Sequence, residues 1–197
     1  MTEKSSKIEG VSCGIFKREI EALVRSGRLN IAFTFIDSML HMVPAQLEEK
    51  LKKTLPKRSG GRKIVLVYGD CQPSMIEMSA RPDVCRVLGM NCCEIILGKN
   101  RYGQLRREGI FFLLPEWTEK WKDVFQVHLG FNRENARNFM KEMHTKLLYL
   151  DTGIIPVPHL TLEEISDFCG LPFETMKVDL DQLLKAIIDA KIEPVET

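Results

Sequence analysis

Two hydrophobic periodicities alternate along this chain. Short runs rich in β-branched and aliphatic residues read as buried strands: IEGVSC (8–13), LNIAFTFID (29–37), KIVLVYGDC (63–71), VCRVL (84–88), IFFLL (110–114), KLLYLDTG (146–153) and FETMKVDL (173–180). Between them, apolar residues recur three to four positions apart, the spacing of amphipathic helices. A helix from Gly14 to about Ser26 puts Phe16, Ile20, Leu23 and Val24 on one face, with Gly27 suited to its C-terminal cap. Pro44 opens a second helix with Leu47, Leu51 and Leu55 aligned, and QPSMIEMSA is a short helix or turn. Asn91 can cap NCCEIIL, which is interrupted near Gly98 and resumes through KNRYGQLRRE. Further helices are predicted over EWTEKWKDVF, where Trp117, Trp121 and Val124 share a side that reads as packing, over NRENARNFMKEMHT from Asn132, over PVPHLTLEEISDFC before Gly170, and over DQLLKAIIDA with Leu183, Leu184, Ile187 and Ile188 inward.

This alternation predicts an α/β fold: a three-layer, mainly parallel sheet of six or seven strands with helices on both faces and right-handed crossovers. No internal repeat or linker interrupts it, so residues 1–197 are expected to form a single α/β domain.

Composition narrows the function classes. The 197 residues are 44% hydrophobic, and 28 basic side chains balance 27 acidic ones to a net charge of +1. No global field recruits nucleic acid or an anionic membrane surface. KRSGGRK reads as an exposed basic turn, without the lysine-serine ending of a phosphate-binding loop or aromatics for base stacking. The first ten residues carry no secretory apolar core and no stretch reaches the roughly 20 apolar residues of a membrane span, so a cytoplasmic location is expected. There the six cysteines (Cys13, Cys71, Cys85, Cys92, Cys93 and Cys169) are expected to be reduced.

The strand KIVLVYGDC delivers Cys71 to the C-terminal edge of the sheet, where α/β folds place ligands. Cys13, His41 and Cys92 follow three other predicted strands, at gaps of 28, 30 and 21 residues along the series. Each gap is about one β-α unit, so these four side chains can converge from four separate loops, although no close CxxC pair is present. Two or three thiolates with one imidazole suit zinc; iron or an iron-sulfur cluster is also chemically compatible. Cys92 falls in the first turn of a helix, which favours thiolate. The metal reading requires the other three side chains to converge on Cys71. The alternative is that Cys71 and Cys92 are core thiols and His41 a hydrogen-bonded loop residue.

Several segments carry a family resemblance in their order along the chain: Cys13-Gly14, Asp37 to His41, YGDC at 68–71, NC followed by EIILG within 91–98, FFLLPEW, and YLDTG at 149–153. Together they resemble the domain-of-unknown-function 1638 family, from about residue 8 to the last helix. The resemblance implies Cys13, His41, Cys71 and Cys92 as metal-competent positions, and an association with corrinoid-dependent methylamine methyltransferase systems. A histidine found in many members two positions ahead of Cys92 is Met90 here. Cys85 and Cys93 are local additions outside the expected ligand set. Asp37 to His41 lacks the DxHxxG pattern of a corrinoid carrier, and no radical S-adenosylmethionine, dinucleotide or GxSxG motif is present.

Three functional expectations follow. The first is a thiolate-site zinc protein of methyl transfer or one-carbon metabolism, with zinc-dependent methyltransferase activity as its enzymatic form and Asp37, Asp70 or Glu94 orienting the ligands. The second is a non-catalytic accessory protein partnered with a methyltransferase or corrinoid protein, its surface around Trp117, Trp121 and Arg101 to Arg107. The third is a metal-free small-molecule domain holding an anion on backbone amides at helix starts near Cys71 and Cys92.

Overall fold

In a computed structural model, which describes residues 8–55 and 62–192, the seven predicted segments each contain a strand. These are β1 (Ile8–Cys13), β2 (Ala32–Ile36), β3 (Lys63–Val67), β4 (Val84–Arg86), β5 (Ile110–Leu113), β6 (Lys146–Asp151) and β7 (Phe173–Lys177). Every strand pairing is parallel, as the intervening helices require. The fold is α/β, but the strands divide between two sheets, ordered β2-β1-β3-β4 and β5-β6-β7. β4 pairs over only three residues of β3, from Ile64 to Leu66. Beyond it the chain runs through two consecutive helices, α4 (Cys92–Leu97) and α5 (Lys99–Arg107), before the second sheet begins. The basic turn predicted after Pro56 lies outside the described residues, apart from Arg62 and Lys63.

The two sheets share a core. Along β6 the side chains alternate with period two, and each set faces a different apolar cluster. Leu148 and Leu150 join Val11, Leu66 and Ile96, whereas Leu147 and Tyr149 join Leu162, Ile165 and Phe168. α8 (His159–Cys169) supplies the latter side. The last helix, α9 (Asp181–Ile192), returns from the second sheet to cover β3 and β4 and to pack on α4, burying Leu183 and Ile187 in the first cluster.

Helix boundaries depart from the periodicity where the backbone changes hand or pitch. The first predicted helix opens with a 3₁₀ turn, Gly14–Phe16, and continues as α1 (Lys17–Arg25). Phe16, Ile20 and Leu23 are buried, but Val24 lies outside that face and is exposed. α2 (Pro44–Thr54) buries Leu47 and Leu51, and α3 (Met75–Ser79) is a single short turn. The segment holding both tryptophans splits into α6 (Pro115–Glu119) and a π-helical turn, Asp123–His128, before α7 (Arg133–Met143). Among the described residues no helix is long and apolar enough to cross a membrane.

β1 lies between β2 and β3 in its sheet, so successive crossovers leave it on opposite sides. This is a topological switch point, and it opens a crevice beyond the carboxyl ends of β1 and β3.

Candidate metal centre

Two glycines let the strand-end loops meet at that crevice. Cys13 is the last residue of β1, and a Cβ on the following Gly14 would lie 3.0 Å from the carbonyl oxygen of Ile36 and 3.3 Å from the amide nitrogen of Ser38. The loops after β1 and β2 therefore touch through backbone. On the other side of β1, a Cβ on Gly69 would lie 2.5 Å from the Met90 carbonyl oxygen and 2.6 Å from the Asn91 Cα, closer than any side chain tolerates. The loop from β3 lies directly on the loop from β4, where the Asp70 amide donates to the Met90 carbonyl at 2.9 Å. Cys71 and Cys92 are neighbours because of that contact.

Each donor-bearing loop is held in place by its own polar contacts. Asn91 caps α4, accepting from the Glu94 amide at 2.9 Å while its own amide nitrogen donates to the Tyr102 hydroxyl at 2.7 Å; this fixes Cys92 at the first helical position. His41 lies in a 3₁₀ turn, Ser38–Met42, whose start is capped by Asp37. The buried hydroxyl of Ser38 donates to Glu116 of α6 at 2.6 Å, and Lys120 bridges Glu116 to Asp37. On the same helix the Trp117 ring meets the His41 ring edge-on, with centroids 5.5 Å apart.

The four predicted ligands form a string. The thiol of Cys71 interacts with the imidazole of His41 on one side and with the thiol of Cys92 on the other, and Cys92 in turn interacts with Cys13. His41 and Cys92 thus reach Cys71 directly, while Cys13 reaches it through Cys92. The string runs inward from solvent: His41 is exposed, Cys71 and Cys92 are half-buried and Cys13 is buried. Among the described residues, no three His, Cys, Asp or Glu side chains are already grouped as a metal-binding set. A metal would have to draw the string together.

Electrostatics distinguish the thiols. Hydrogen bonding from Cys92, assisted by His41, lowers the Cys71 pKa to about 5 despite burial, and the same interaction with Cys71 raises that of His41. Cys92 moves the opposite way. Its hydrogen bonding with Cys13 and Cys71, together with burial, pushes it well above the ordinary thiol value, outweighing the helix terminus expected to lower it. The thiolate of this group is therefore Cys71, with Cys92 retaining its proton as a donor. Burial alone pushes Cys93 and Cys169 up to about 12; Cys169 is a core thiol, whereas Cys93 is half-buried and lines the crevice as a protonated thiol.

The carboxylates expected to orient the ligands hold backbone and neighbouring cations instead. Asp37 takes the Met39 amide and Lys120, Asp70 takes Arg86 at 2.8 Å, and Glu94 accepts from the Met90 amide. α3 begins only at Met75, so Cys71 is not at a helix start and an anion has no helix terminus there.

The family model described as Protein of unknown function (DUF1638) matches residues 35–187. The chain belongs to the DUF1638 family. The DUF1638 match takes in His41, Cys71 and Cys92 and begins after Cys13. No curated protein and no solved structure matches the chain.

In this DUF1638 member the string opens into a cavity of about 390 Å³. Its walls combine the strand-end loops of the first sheet with Phe111, Phe112 and Leu114 of the second sheet's leading edge and with Val124, Phe125 and Leu129 around the π-helical turn. Tyr68 and Trp117 also line it; from sequence Tyr68 has no role of its own, and Trp117 belongs to packing or to a partner surface, not to a cavity wall. Tyr68 carries the only readable signal, a phenol ending an otherwise aliphatic strand just before the glycine that brings the loops together.

Proposed function

We propose that this protein holds zinc on the thiolates of Cys13, Cys71 and Cys92 and the imidazole of His41, and that the site serves methyl transfer or one-carbon metabolism. One observation carries the reading: four soft donors from four different strand ends line a single cavity at a topological switch point. The donor chemistry fits, because sulfur-rich sites with one imidazole select zinc over hard cations. Zinc held there would supply Lewis acidity and keep a bound thiol deprotonated near neutral pH.

The chain's own residues would prepare that chemistry. Cys71 is already biased toward thiolate, His41 must give up its proton to bind, and Cys92 must release the proton that it shares with its neighbours. Metal loading is therefore expected to release protons and to weaken at acid pH. Cys13 would complete the donor set from the buried side. The methyl-transfer setting, with a methyltransferase or corrinoid protein as partner, rests on the family resemblance alone. An accessory protein of such a system would use the same ligands, and a turnover assay with a methyl donor and a thiol acceptor separates it from an enzyme.

Elemental analysis of protein purified without added metal tests the site itself. We expect one equivalent of zinc, lost in Cys71→Ser and Cys92→Ser variants whose circular dichroism shows them folded. Metal-free wild-type protein that also fails to take up added zinc would overturn the reading.

A further inference from the structure

The cavity beside the thiols is closed by apolar and aromatic side chains, yet two hydrogen-bond donors are buried in its wall. The Tyr68 hydroxyl and the Trp117 indole N–H both find no partner among the described residues, although Tyr68 is only 1% exposed. Buried donors are seldom left in this state, because each loses its water without replacement. The indole nitrogen can only donate, so what satisfies it must be an acceptor.

Position says where that acceptor lies. The phenol is electrostatically close to Cys13, Cys71 and Cys92, and the indole packs on His41, so both donors belong to the end of the cavity that carries the string of thiols. The rest of the lining includes Phe111, Phe112, Val124, Phe125 and Leu129. Charge narrows the class further. Among the described residues no lysine or arginine lines the cavity, and the one carboxylate that does, Asp37, is held by Lys120 and the Met39 amide. No lysine or arginine there would offset an anion's charge, and a cation would meet two donors.

We propose that the cavity binds a neutral, mainly apolar small molecule through a carbonyl-type oxygen that accepts from Tyr68 Oη and Trp117 Nε1, with its hydrocarbon body against the second sheet. Its volume suits such a ligand. This assigns a ligand class to the cavity of the proposed zinc site. Its binding contacts need no metal, so the two readings can fail separately.

Acetophenone, ethylbenzene and benzoate share a ring and differ in the acceptor and the charge, which makes them suitable probes. Their binding is followed through the indole N–H resonance of Trp117, identified by its persistence in a Trp121→Phe variant, in full-length protein as purified and again after chelation. Acetophenone should move this resonance downfield saturably in both states. It should bind about tenfold or more tightly than ethylbenzene, as expected for two buried hydrogen bonds. Benzoate should not compete. Tyr68→Phe should weaken acetophenone by about threefold to tenfold and leave ethylbenzene unchanged. Equal binding of acetophenone and ethylbenzene, tighter binding of benzoate, or no saturable shift would overturn the proposal. Acetophenone binding in protein that takes up no zinc would sustain it while the metal reading fell.

Discussion

Gly69 shows how one residue sets the distance between two thiols. A methyl group there cannot coexist with the Met90 carbonyl and the Asn91 Cα at 2.5 and 2.6 Å, so the β3 and β4 loops must separate. Gly69→Ala is therefore expected to destabilise the fold by about 1–3 kcal/mol through overpacking and to lower zinc affinity by at least about tenfold. Chemical denaturation and competition with a chromogenic chelator measure the two effects. The Cys71 thiol yields a pH prediction for metal-free protein. Its folded pKa is depressed from 9.0 to about 5, so the stability that it contributes is complete above pH 9 and is lost as pH falls through 5. Iodoacetamide should label Cys71 down to about pH 5, and its midpoint should rise in Cys92→Ala, which removes the donor. Glu19 has the opposite sign. Burial raises its pKa above 4.5 even though the Thr152 hydroxyl donates to it at 3.0 Å. Its contribution is present below pH 4.5 and lost as pH rises through the elevated value, so Glu19→Gln should gain on wild type in thermal denaturation as pH goes from 4.5 to 7.

At the scale of elements, the site depends on short pieces anchored from outside. α4 is only six residues long and is held at its start by the Asn91 cap. Asn91→Ala is expected to cost about 1 kcal/mol in thermal or denaturant unfolding and to reduce zinc affinity, while Asn91→Asp, which keeps an accepting oxygen, should restore most of the stability. The turn bearing His41 is anchored by Ser38 to Glu116, so the second half of the chain helps position a ligand of the first. Sequence periodicity reveals the strands because buried parallel strands are nearly continuous apolar runs, as in KIVLV. It also reveals the caps at Asn91 and Asn132, which are local chemistry. It does not reveal the π-helical turn after Glu119: the spacing of Trp117, Trp121 and Val124 reads as one helix, and the change of pitch is set by tertiary packing around Phe125.

For the whole molecule, the one-dimensional pattern conveys α/β architecture and parallel pairing but not their partition. Whether β5 joins β4 or starts a new sheet depends on edge length and on where α4 and α5 pack, and neither is encoded in hydrophobic period. The candidate site is legible to the extent that donors at strand ends converge in any parallel sheet, which is how Cys13, His41, Cys71 and Cys92 can be picked out from β-α spacing. Which thiol ionises was not legible. Cys92 occupies the helix start, but Cys71 receives the hydrogen bonds, and those follow from three-dimensional order along the string. The unpartnered Tyr68 and Trp117 donors were equally hidden, because only burial makes them conspicuous.

The central claim is that these four side chains close on one metal. X-ray absorption at the zinc edge of protein loaded with one equivalent measures that most directly. The account predicts a shell of three sulfurs at about 2.3 Å and one nitrogen at about 2.0–2.1 Å, with one sulfur fewer in Cys71→Ser, which loses zinc on purification and is reloaded with added metal for this measurement. A first shell made only of oxygen and nitrogen, or one unchanged in Cys71→Ser, would contradict it.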